Sequence, residues 1–115
     1  MSVSVEARAW IDICAVAEVP ARGARRLQTP RGPVALFRTG DDCVFALADR
    51  CPHKHGPLSM GIVHGHAVTC PLHGWIIDLA SGAPLGADAG KGCAPAIAVR
   101  IENARILIDA AALKA

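Results

Sequence analysis

Two short stretches constrain this chain more than anything else in it: Cys51-Pro52-His53-Lys54-His55-Gly56-Pro57-Leu58 and Cys70-Pro71-Leu72-His73-Gly74-Trp75. Each offers one thiolate and at least one imidazole, and each runs at once into a glycine. Thiolate and neutral imidazole are the donors of transition-metal sites. Two loops with this matched chemistry read as two jaws closing on one metal centre. A lone histidine is ordinarily a surface or core residue, but potential ligands arranged in two spaced pairs are poorly explained that way. On the residues alone two points stay open. Spacing permits either His53 or His55 in the first jaw, and a Cys₂His₂ set suits zinc as well as iron. The usual zinc-finger order places two cysteines before two histidines, whereas here the order is Cys-His and then Cys-His, in loops.

The rest of the chain sets the frame for such a site. At 115 residues it has the length of one domain, with no room for a separate catalytic unit. Apolar residues make up 52%, yet there are only two Trp, two Phe and no Tyr, so the core must be built from Val, Ile, Leu and Ala. A formal charge of +2 is too small to argue for nucleic acid or an anionic membrane. Arg8, Arg22, Arg25, Arg26, Arg31 and Arg38 all precede Gly40, which reads as a solvated edge or, more sharply, as a docking face for an acidic partner. No stretch resembles a signal peptide or a spanning segment, so the expected location is cytoplasmic, where disulfides are rare. With two cysteines in the jaws, Cys14, Cys43 and Cys93 are spares rather than a disulfide framework. Cys14 reads as a small buried hydrophobe. Cys43 reads as structural, with membership of a further metal site as the alternative.

Short apolar runs punctuated by Gly, Pro and Asp predict strands over Trp10–Ala15, Arg25–Thr29, Val34–Arg38, Cys43–Leu47, Gly61–His64, Ala67–Thr69, Trp75–Leu79, Ile97–Ile101 and Arg105–Ile108. Trp10 is expected on the core. Thr29-Pro30-Arg31-Gly32-Pro33 and Gly40-Asp41-Asp42 are turn signals. A Gly- and Pro-rich segment covers 83–95, and Asp109 to Ala115 forms a helical turn or frays. His64 and His66, flanking Gly65, are expected to be solvent-exposed. Many short strands at close spacing argue for an all-β fold, a small antiparallel sandwich or barrel.

The pattern Cys51-x-His53, sixteen residues, Cys70-x-x-His73 resembles the Rieske iron–sulfur motif. In a Rieske centre two histidines replace two cysteines on one iron of a [2Fe–2S] cluster. The resemblance implies the Rieske-like (ISP) fold, a single domain over 1–115, and cluster-binding loops at about 51–58 and 70–75. It also implies that Cys51 and Cys70 hold one iron and His53 and His73 the other. Replacing thiolates by imidazoles removes negative charge and raises the reduction potential. It also couples electron transfer to pH through the exposed imidazole nitrogens. Gly56 and Gly74 would let the backbone approach and aim N–H groups at sulfur, Pro52 and Pro71 would stiffen the loops, and Leu58, Leu72 and Trp75 would shield the cluster. High-potential Rieske proteins of respiratory complexes carry a disulfide between the loops, and Ser and Tyr hydroxyls directed at the cluster. The matching positions here are Gly56, Leu72 and Trp75, and the chain has no Tyr. Fewer donors to sulfur imply a potential in the lower part of the Rieske range of roughly −150 to +300 mV.

Within that family the chain resembles the small subunit of assimilatory NAD(P)H nitrite reductase. The likeness rests on His55-Gly56-Pro57-Leu58-Ser59, Gly61-Ile62-Val63, Val68-Thr69-Cys70-Pro71-Leu72-His73, Ile77-Asp78-Leu79-Ala80-Ser81-Gly82 and Gly92-Cys93. In that family a compact acidic run precedes the last of these cysteines. Here Asp88-Ala89-Gly90-Lys91-Gly92 is longer and less acidic. The resemblance implies nitrate assimilation beside a large subunit that carries FAD, a [4Fe–4S] cluster and sirohaem and reduces nitrite to ammonium. The chain has no dinucleotide fingerprint, so in isolation it is expected to be only an electron carrier, or a structural support, within that oxidoreductase. The alternative is a free ferredoxin passing electrons from a flavin reductase to a ring-hydroxylating oxygenase. A third reading is an interaction module stabilised by zinc or a cluster, with no redox duty.

Overall fold

Residues 9–52, 55–72 and 74–113 are described in a computed structural model. Its organising element is the strand β3 (Gly32–Arg38), in which Val34, Ala35, Leu36 and Phe37 are buried in succession. Successive strand side chains point to opposite faces, so an unbroken apolar run requires cover on both sides. Val34 and Leu36 enter one hydrophobic cluster, with Cys14, Val19, Ala46, Ile106 and Ile108. Ala35 and Phe37 enter another, with Leu47, Leu58, Val63, Val68, Ile77 and Leu79. β4 (Val44–Ala48) repeats the alternation, sending Ala46 to the first cluster and Leu47 to the second.

The strands form three antiparallel sheets. β2 (Gly23–Thr29), β3, β4 and β8 (Ala96–Ile97) make the middle one. On one side lies the sheet of β1 (Trp10–Ala15), β10 (Arg105–Asp109) and β9 (Val99–Glu102). On the other lies that of β5 (Ile62–His64), β6 (Ala67–Thr69) and β7 (Ile76–Asp78). Helical structure among the described residues is confined to short 3₁₀ turns such as Val16–Glu18 and Leu58–Met60. The architecture is all-β and antiparallel, as expected.

Two expectations are revised. The single strand over Ile97–Ile101 divides at Ala98: Ile97 pairs with Ala46 in the middle sheet, and Val99 with Ile108 in the outer one. The Ala98 carbonyl between them accepts the Asp109 N–H at 3.2 Å. A chain that switches sheets in this way makes a corner of the sandwich. Trp10 is half-buried with the Arg100 guanidinium 5.9 Å from its ring centroid, outside both clusters. Four of the early arginines are held locally. Arg25 pairs with Glu18, Arg26 with Asp49 and Arg38 with Asp42, while Arg31 donates to the Ala111 carbonyl.

Two fasteners tie the small sheet β5–β6–β7 to the rest. Asp49 is buried, and its carboxylate accepts the Ser59 N–H at 2.7 Å and the Ser59 hydroxyl at 2.6 Å, with Arg26 Nε at 3.2 Å. The other fastener is Gly82, at φ 76°, whose N–H donates to the Asp78 carbonyl and whose carbonyl accepts the Ala94 N–H at 2.8 Å. A β-carbon on Gly82 would stand 1.8 Å from the Ala94 carbonyl oxygen.

Asp49→Ala strands the Ser59 N–H, and should lower stability by about 1–3 kcal/mol, whereas Ser59→Ala keeps that bond and should cost less. Thermal unfolding of the two variants checks the order. Gly82→Ala meets backbone rather than a movable side chain, so a marked fall in melting temperature is expected. A Gly82→Ala protein as stable as the parent would contradict the close approach.

Candidate metal centre

Cys51 follows β4 and Cys70 follows β6, and both are buried, at 0% and 3% exposure. The two loops are folded alike. The Cys51 N–H donates to the Gly56 carbonyl at 2.7 Å, and the Cys51 carbonyl accepts the His55 N–H at 3.0 Å. In the second loop the Cys70 N–H donates to the Trp75 carbonyl at 2.7 Å, and the Cys70 carbonyl accepts the Gly74 N–H at 3.1 Å. The offsets from each cysteine, five and four residues, are identical. The residue four beyond each cysteine takes the left-handed conformation, His55 at φ 56° and Gly74 at φ 74°. Each loop thus closes on its own cysteine backbone.

Gly56 is where the jaws meet. A β-carbon there would lie 2.7 Å from the Leu72 side chain and 3.3 Å from the Cys70 sulfur. The expected close passage of backbone is present at Gly56. The expectation that both glycines aim N–H groups at sulfur is not met at Gly74, whose N–H serves the Cys70 carbonyl. Of the expected shields, Leu58 is fully buried and Trp75 packs against the same cluster, but Leu72 stays 50% exposed. His53 and His73 lie outside the described residues. His64 and His66 are exposed, as expected.

Beside the first loop, a depression of about 260 Å³ is lined by Cys51, Pro52, His55, Gly92 and Cys93. A β-carbon on Gly92 would come within 3.3 Å of Pro52. The Gly82–Ala94 contact therefore carries the exposed Cys93 to the edge of the first jaw. Sequence reading had left Cys93 without a place, because its neighbourhood is set by a contact across twelve residues of irregular chain. No disulfide joins any of the five cysteines. Burial raises the Cys14 pKa, keeping that thiol protonated and inert, which accords with its reading as a small hydrophobe.

A second gathering of polar groups, of which sequence singles out only Cys43, lies at the tips of two hairpins. Asp41 and Cys43 from the β3–β4 turn meet His66 from the β5–β6 turn, their ligand atoms all within 4.8 Å of one another. His66 Nε2 lies 3.0 Å from Asp41 Oδ2. Hydrogen bonds from Thr39 and then from His66 lower the Asp41 pKa to about 2, so its carboxylate stays ionised well below neutral pH. The signal for this cluster was weak, because two turn residues and a flanking histidine come together only once the hairpins are packed.

Residues 9–96 match the Rieske [2Fe-2S] domain. The chain is 50% identical over 52 residues to the anthranilate 1,2-dioxygenase ferredoxin subunit of Burkholderia cepacia, a stretch covering 45% of this chain and 47% of that one. This match therefore spans about half of that relative's length. Identity to the ferredoxin component of the naphthalene 1,2-dioxygenase system of Pseudomonas aeruginosa is 28% over 100 residues, 87% of this chain and 94% of the relative. A solved structure described as an NADH-dependent nitrite reductase small subunit, from Mycobacterium tuberculosis, superposes with a TM-score of 0.77 at 25% identity, covering 89% of this chain and 95% of that one. The cradle fits the cluster of such domains: two buried thiols on facing loops, with no β-carbon at Gly56 to crowd the Cys70 sulfur. The chain belongs to the Rieske [2Fe-2S] domain family, whose members bind a [2Fe–2S] cluster.

Proposed function

We propose that this chain is the small Rieske subunit of an NAD(P)H-dependent nitrite reductase in the cytoplasm. It forms one domain over 1–115, beside a large subunit carrying FAD, a [4Fe–4S] cluster and sirohaem. The observation that carries this reading is the end-to-end structural likeness to the mycobacterial protein, at 89% and 95% coverage. The Gly92-Cys93 segment adds support, because the stretch that resembles that family lines a depression beside the first jaw. Cys51 and Cys70 would hold one iron, and His53 and His73 the other. His55 fills the same turn position as Gly74, which favours His53 as the ligand of the first jaw. Bound there, the cluster supplies a one-electron centre. The chain's own contribution is to hold it rigidly, exclude water and set its potential. The His55 and Gly74 N–H groups are spent on cysteine carbonyls. With no Tyr in the chain, few donors remain for the sulfurs, which supports a low potential within the Rieske range.

A second reading is favoured by the 50% identity to the anthranilate dioxygenase ferredoxin subunit and the nearly full-length match to the naphthalene one. In it the chain is a free ferredoxin between a flavin reductase and an oxygenase. Anaerobic purification of the tagged chain from its native cytoplasm separates the two. Co-elution with a large flavin- and sirohaem-containing chain and NAD(P)H-dependent loss of nitrite is expected; a brown protein eluting alone, active only with an oxygenase, would favour the second reading. Under either redox reading, His53→Cys adds thiolate charge and should lower the potential and impair electron transfer. Unchanged activity in that variant would point to a purely structural centre. In the complex, Cys93→Ser should weaken co-elution without bleaching the cluster if the edge of the first jaw is part of the docking face.

A further inference from the structure

The cluster of Asp41, Cys43 and His66 offers three different donors, a carboxylate oxygen, a thiol sulfur and an imidazole nitrogen, from two hairpins 25 residues apart. An ion pair between Asp41 and His66 accounts for two of them but gives no reason for the third. We propose that these residues form a second metal site, distinct from the cluster jaws, that takes a divalent transition ion of the zinc class. Three protein ligands and an open fourth position for water is an established zinc arrangement.

The scaffold is already held for the purpose. The Thr39–Cys43 turn is closed by the Thr39 N–H to the Cys43 carbonyl at 2.9 Å, the Cys43 N–H to the Thr39 hydroxyl at 3.0 Å, and the Asp42 N–H to the Thr39 carbonyl at 3.1 Å. The buried Thr39 hydroxyl also donates to Asp41 Oδ1, orienting the carboxylate from behind as outer partners of metal ligands do. On the facing hairpin the His66 carbonyl accepts the Leu79 N–H at 2.9 Å, and the imidazole lies against Phe45 with centroids 5.3 Å apart. Bonds of about 2.0–2.3 Å in tetrahedral zinc place ligand atoms roughly 3.3–3.8 Å from one another. The Asp41–His66 contact at 3.0 Å would open slightly, and the widest separation, at most 4.8 Å, would close by about 1 Å. Rotation of exposed or half-buried side chains supplies that movement. Ligands of this kind bind a metal in their deprotonated forms, so affinity falls with falling pH. The ion would staple the middle sheet to the cluster-bearing sheet, at a point where the Asp41–His66 hydrogen bonds and the Phe45–His66 ring contact already join the two hairpins.

The test uses the cluster-loaded protein under nitrogen, with zinc chloride as the only added metal. Calorimetry should show one Zn²⁺ bound per chain with the visible and EPR spectra of the cluster unchanged. Cys43→Ser and His66→Ala should each remove that binding, and Asp41→Asn should weaken it. Zinc should raise the melting temperature of the parent but not of these variants. Alkylation mapped by mass spectrometry needs no variant: zinc should slow modification of Cys43 by about tenfold or more, while the exposed Cys93 reacts at an unchanged rate. Unprotected Cys43, binding retained in both Cys43→Ser and His66→Ala, or uptake of zinc only as the cluster bleaches would each overturn the proposal.

Discussion

The whole arrangement depends on β3 having no solvent face. Its four consecutive buried residues divide strictly between two cores, Val34 and Leu36 to one, Ala35 and Phe37 to the other. A shift of one residue in its pairing with β2 or β4 would exchange the two sets, so both flanking sheets depend on one register. Between β4 and β6 the chain builds the first jaw and the β5–β6 hairpin, and the second jaw follows β6 directly. The jaws are thus anchored at Ala48 and Thr69, the last residues of strands whose side chains share the second core. Cluster geometry is inherited from core packing.

The jaws then repeat one local solution. A cysteine whose N–H and carbonyl are both satisfied within its own loop has no backbone demand left to place on the metal or on solvent. The two thiols, exposed by 0% and 3%, lie in a dry setting that suits the thiolate ligands of the family's cluster. The second loop meets the left-handed position with glycine, the first with His55. A non-glycine residue tolerates that conformation at a small cost. His55 and Gly74 thus hold the same place in their turns, four residues beyond each cysteine.

Most of the fold was legible because its signals are local. Short apolar runs bounded by Gly, Pro and Asp marked nearly every strand, and Gly40-Asp41-Asp42 and Gly65 marked their hairpins. Two features were not legible, and for one reason. The break at Ala98 follows from Ile97 and Val99 finding partners in different sheets, and nothing in Ala96-Ile97-Ala98-Val99 records it. The Asp41–Cys43–His66 grouping likewise exists only after two hairpins pack tip to tip. Ligand chemistry in the jaws was legible because the metal needs fixed residue types at short spacing. The Asn103-Ala104 turn is intermediate. It sits in left-handed conformation at φ 52° and 62°, as a two-residue hairpin requires, although alanine gives no such signal.

A redox centre is useful only if its surroundings move little when charge arrives, and the sheet that carries the second jaw is too small to ensure this alone. Its three strands have three residues each, below what makes an isolated sheet stable. Rigidity must therefore be imported. Phe37 and Leu47 supply it through the shared core, Asp49 through Ser59 at the end of the first jaw, and Gly82 through its backbone bond with Ala94. The His66–Asp41 pair, at 3.0 Å, adds a link at the far tip. These attachments reach the small sheet from the core and along its margins, while Pro71, Leu72 and Gly74 of the second jaw are exposed. Fastening the back and freeing the front reconciles a fixed cluster with access for electron exchange.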